Sequence, residues 1–136
     1  MKNFERQQSP AKNTYGSDSG IIDLKPLLEE CMGDVDMLKE LIGLYKKNIL
    51  EFIGKAKIHI ANQDYERLQF ATHKLKCSLL LLKTEDLFSI VEKMHCICVD
   101  QEGVDKLTVL YQSFLDSYPL IEGVIDEQFF NLISDE

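Results

Sequence analysis

A chain of 136 residues, 45% hydrophobic and 28% charged, carries enough apolar material for one domain with its own core. A formal net charge of −8 would repel a phosphate backbone and no basic stripe offsets it, so nucleic acid is not an expected partner. No apolar run is long enough to cross a bilayer, and the start MKNFERQQSPAKNTYGSDSG lacks the apolar core of a signal peptide. A cytoplasmic protein without membrane contact is expected, with Cys31, Cys77, Cys96 and Cys98 as reduced thiols.

Residues 1 to 20 are polar, lack periodicity and read as a disordered tail or linker. Asp23 can cap a short helix over about residues 23 to 32, with Pro26 in its first turn. Leu24, Leu27, Leu28 and Cys31 form its apolar side, and Gly33 ends it. Asp34 caps what reads as the longest helix, running to about Asn62. Its stripe of Leu38, Leu41, Ile42, Tyr45, Ile49, Phe52, Ala56 and Ile60 steps by threes and fours.

Asp64 caps the next helix, whose pattern breaks at Lys83-Thr84. Thr84 caps a further one, with Glu85 and Asp86 where negative charge suits the helix dipole and a stripe of Leu87, Ile90, Val91, Met94 and Cys98. Asp100 to Gly103 reads as a turn. The last stripe passes through Leu107, Tyr111, Phe114, Tyr118, Ile121 and Ile125, and Pro119 predicts a kink or short break near Tyr118. Residues 127 to 136 read as an acidic tail that frays, although Phe129 and Phe130 have the chemistry to tuck back. The expected fold is all-α, an antiparallel up-down four-helix bundle over residues 21 to 126 with a short additional N-terminal helix.

Within the third of these helices, Leu68, Thr72, Leu75, Leu79 and Leu82 fall in one narrow arc at 100° per residue. His73 then stands roughly 140° from the centre of that arc, on the face that meets water or a partner. Glu66, Gln69, Phe70, Lys76, Cys77 and Leu80 share that face, whereas Lys74 points to one side as a solvated lysine. An exposed neutral imidazole is a good nucleophile near pH 7. Lys76, three residues on, can swing onto a phosphoryl group carried by the ring. His59 and His95 read as boundary or surface histidines whose replacement leaves that chemistry intact. The chain has no glycine-rich phosphate loop, Ser-His-Asp spacing or paired carboxylates placed in a cleft. A bundle this small rarely has a deep pocket, which disfavours an enzyme of small substrates.

The run Thr72-His73-Lys74-Leu75-Lys76-Cys77-Ser78 resembles the H-x-L-K-G-S core of histidine-containing phosphotransfer domains. The wider pattern is similar as well, with an acidic stretch and a long helix ahead of NQDYERLQFATH, and it covers about residues 22 to 125. The resemblance implies that His73 is the phosphoacceptor and that Lys76 steadies the phosphoryl group. It implies no autonomous kinase activity and no cofactor of the chain's own. A response-regulator receiver domain would bring the aspartate and the magnesium, and a hybrid histidine kinase is a further partner it allows. Such a receiver would dock over the histidine helix and the short first helix, against Leu24, Leu27, Leu28, Gln69, Phe70, Cys77 and Leu80 of a monomer. Cys77 stands where that family usually has glycine, Thr72 where alanine is common, and Lys83 where a second glycine often falls.

Two other readings stand beside this one. His73 and Cys77 are spaced i, i+4, and His95-Cys96-Ile97-Cys98 offers soft ligands on the next helix, a set that suits a metal. His95 and Cys98 lie on different sides of their helix, however, and His73 points outward. The other reading is an adaptor bundle that binds a receiver domain without passing phosphate.

Overall fold

The computed structural model describes residues 22 to 134, and these are all-helical, with no strand. Residues 1 to 20, read above as a tail or linker, lie outside the described residues. Five α-helices follow one another: α1 (Lys25–Glu30), α2 (Val35–Ala61), α3 (Tyr65–Leu81), α4 (Glu85–Asp100) and α5 (Leu107–Ser134). A 3-10 turn over Val104–Lys106 leads into α5.

The first three connections are short, and at the second a single residue serves two helices. Asp64 N–H closes the end of α2 on the His59 carbonyl at 2.8 Å, while its side chain accepts from Arg67 N–H at 3.1 Å to open α3. This closure turns on Gln63, at φ 56°, where a left-handed backbone strains any side chain with a Cβ. Lys83 repeats the arrangement at φ 56°, with Thr84 N–H on the Leu79 carbonyl at 3.1 Å. Asp34 caps α2 as expected, accepting from Met37 N–H at 3.2 Å. Thr84 occupies the N-cap position of α4 but does not cap it. Its buried hydroxyl turns inward instead, accepting from Tyr45 Oη at 2.8 Å and donating to the Leu79 carbonyl at 3.3 Å.

The apolar stripes face one shared core. α2 packs on α3 and α5, and α4 packs on the same two, so the long helices form an all-α bundle with α1 against α2. Tyr45, Leu68, Leu79, Leu87, Met94 and Phe114 are among its fully buried side chains, and Phe52 meets Phe114 edge to face at 5.3 Å.

α5 departs from expectation. It has 28 residues against 27 in α2, making it the longest helix, and it runs through Pro119 without a break as far as Ser134. Proline inside a helix costs about 3 kcal/mol. Phe114 before it and Ile121 and Ile125 after it are buried, and that burial holds both halves on the same core. The expected fraying from residue 127 is corrected too: Phe129 and Leu132 pack partly buried against the core, while Phe130 stays exposed.

Candidate functional site

α3 presents its residues to three surroundings. Leu68, Thr72, Leu75 and Leu79 enter the core. Ala71, Lys74 and Ser78 look towards α2, where Ser78 Oγ accepts from Asn48 Nδ2 at 2.8 Å and Lys74 Nζ lies 3.6 Å from Glu51 Oε1. His73, Cys77 and Leu80 are exposed, and Gln69 and Lys76 are half-buried. Phe70 is 70% exposed beside His73 and lines an α2–α3 groove of about 480 Å³ with Phe52, His59 and Leu75.

Glu92 and His95 of α4 meet the flank of α3 that carries His73 and Lys76. Lys76, read from the sequence on the outer face with His73, has a partner across the seam. Its Nζ donates to Glu92 Oε1 at 2.6 Å, and its side chain is only 19% exposed. The Lys76 hydrogen bond holds the Glu92 carboxyl below its ordinary range against some desolvation, with the Lys76 and His95 charges adding to the effect.

His95, read from the sequence as a boundary or surface side chain, is half-buried with its ring centre 5.9 Å from that of His73 and the planes 36° apart. Its Nδ1 lies 3.0 Å from the hydroxyl of Thr72, which is fully buried and donates to the Gln69 carbonyl at 2.8 Å. A chain of contacts thus runs from the α3 backbone through Thr72 to His95 and so to His73. Neither Glu92 nor the pairing of the two rings could be found from helical periodicity, because it depends on the register between α3 and α4.

The remaining site residues fall in two groups. Phe70, Cys77 and Leu80 are exposed around His73 and available to a partner. Leu24 and Leu27 are not: at 1% and 8% exposure they belong to the core, and Leu28 packs partly against it. Burying those leucines is what holds so short a helix in place, since α1 has only six residues. The exposed positions on that side are Asp23, Lys25, Pro26, Glu29 and Glu30.

Cys98 is buried, and desolvation pushes its thiol up to about 11; Cys77 and Cys96 are exposed. Among the described residues no group of three or more His, Cys, Asp or Glu side chains is placed to hold a metal ion, and no helix is long and apolar enough to cross a membrane. Comparisons with protein-family models, curated proteins and solved structures find no match to this chain.

Proposed function

We propose that this chain is a histidine-containing phosphotransfer protein of a cytoplasmic phosphorelay, with α2 to α5 as an antiparallel up-down four-helix bundle. His73 takes a phosphoryl group from an aspartate of a response-regulator receiver domain, or returns it. A lone pair of the imidazole attacks phosphorus, an N–P bond forms, and the P–O bond to the aspartate breaks with its electrons going to the carboxylate. The partner's magnesium would steady the departing carboxylate, so the chain acts as a monomeric carrier without kinase activity of its own.

The observation that carries this reading is the exposed His73 midway along α3, with Lys76 one turn on and Phe70, Cys77 and Leu80 exposed around it. Lys76 then exchanges Glu92 for the phosphoryl oxygens, keeping an ionic partner in both states. A phosphorylated receiver domain incubated with the purified chain should transfer its label to an acid-labile, alkali-stable linkage that is absent from His73→Gln. No label after both receiver and phosphoramidate treatment would refute the reading.

A receiver-binding adaptor that passes no phosphate is the second reading. Two features favour it: the engagement of Lys76 by Glu92, and the Cys77 side chain standing in the approach to His73. Receiver binding without label transfer would identify it.

A further inference from the structure

Thr72 and His95 have no part in the transfer step proposed for His73, yet they form a hydrogen-bond arrangement at the edge of the site. A threonine hydroxyl has one proton to give. Thr72 gives it to the Gln69 carbonyl at 2.8 Å, so its 3.0 Å contact with His95 Nδ1 is one in which the hydroxyl accepts and Nδ1–H donates. Nδ1 therefore carries a proton, and the lone pair of neutral His95 is at Nε2.

His73 needs such a neighbour. When one of its nitrogens attacks phosphorus, the other keeps its proton and the ring gains positive charge. A nearby acceptor for that N–H lowers the energy of the charged ring. Two imidazoles joined edge to edge by an N–H···N bond have centres roughly 5 Å apart. The observed 5.9 Å is close to that, and His73 is exposed and can turn its side chain. Lys76 and Glu92, the charged groups alongside, are paired with each other at 2.6 Å in the empty protein, so that as the attack on phosphorus begins His95 is the acceptor at hand.

We infer that His95, held by Thr72 with its Nδ1 protonated, is the positioning residue that accepts the N–H of His73 at Nε2 as His73 takes up phosphate. This inference rests on the phosphotransfer reading. Gln69, Thr72 and His73 are close together in sequence on α3, so the backbone that carries the nucleophile also orients its acceptor.

Nitrogen-15 NMR of the empty protein and transfer rates on variants together decide the matter. The wild-type spectrum should show His95 as the Nδ1–H tautomer, and Thr72→Val should convert it largely to the commoner Nε2–H form. His95→Phe, which keeps a ring without nitrogen, should slow labelling of His73 by at least about tenfold. His95→Gln, which can offer an amide oxygen, should recover part of that loss. Circular dichroism melts of each variant establish that the fold is retained. An Nε2–H tautomer in the wild type, or full-rate labelling of His95→Phe, overturns the inference while the phosphotransfer reading stands. A wild-type chain that takes no label overturns that reading and this role with it.

Discussion

Lys76 of α3 and Glu92 of α4 are joined by a 2.6 Å hydrogen bond across the seam beside His73. The ammonium that would neutralise a phosphoryl group is therefore already engaged in the empty protein. Removing it affects two things at once. Lys76→Ala should slow phosphate transfer on the order of tenfold or more, the usual scale for losing one charge-stabilising group. It should also let the Glu92 carboxyl titrate at higher pH, since the lysine is the first cause holding it down. A carbon-13 titration of Glu92 in the unphosphorylated variant measures the second effect separately. An unmoved titration would mean that the pair does not persist in solution.

His73→Gln should abolish labelling and leave the melt almost unchanged. The side chain is exposed, so the expected stability change is within about 0.5 kcal/mol. A large loss of stability would show that the imidazole supports the packing of α3 on α4, and its reading as a free nucleophile would fail.

Cys77→Gly tests the approach of the partner. Cys77 is exposed one turn from His73, and its bulk matters only when another molecule closes over the ring. The substitution should speed transfer from a receiver domain without speeding transfer from phosphoramidate, at about 1 kcal/mol of stability for glycine inside a helix. Equal effects on both donors would place the change in the chemistry instead of the docking.

The thiols give a pH prediction. Cys77 and Cys96 should react quickly with a disulfide reagent, and buried Cys31 and Cys98 slowly. Burial raises the Cys98 thiol from 9.0 to about 11, so the unfolded chain releases that proton before the folded one does. Its contribution to stability is complete below pH 9 and is lost as pH rises towards 11. Thermal melts should decline over that window, and less steeply in Cys98→Ala. Equal slopes in the two proteins would assign the decline to other groups, with buried Tyr118 the first to test.

Lys83→Gly and Gln63→Gly should each stabilise the protein by about 0.5 to 1 kcal/mol. Both residues hold a left-handed backbone at φ 56°, where glycine avoids the clash of a Cβ. Tyr45→Phe should act oppositely, costing about 1 kcal/mol through loss of the buried bond to Thr84. Urea unfolding of the three variants orders them, and a destabilised Lys83→Gly would contradict the strain at that turn.

Helix identity and the main stripes were legible in the chain because amphipathic periodicity is a local property. Leu38, Ile42, Tyr45, Ile49, Phe52 and Ala56 repeat at helical spacing whatever lies opposite them, and all six are buried. The same arithmetic set His73 away from Leu68, Leu75 and Leu79, and it is exposed. Other features were decided only when the helices met. Pro119 signals a break locally, but burial of Phe114, Ile121 and Ile125 on either side keeps α5 continuous. Thr84 has the chemistry of a cap, yet Tyr45 and the Leu79 carbonyl draw its hydroxyl inward. Leu24 and Leu27 could equally have faced a partner, and the core took them. The partners that Lys76, Thr72 and His73 find across the helix seam all come from α4. Which residue of one helix stands beside which residue of another follows from the packing of whole faces, and the periodicity of a single helix carries no information about that register.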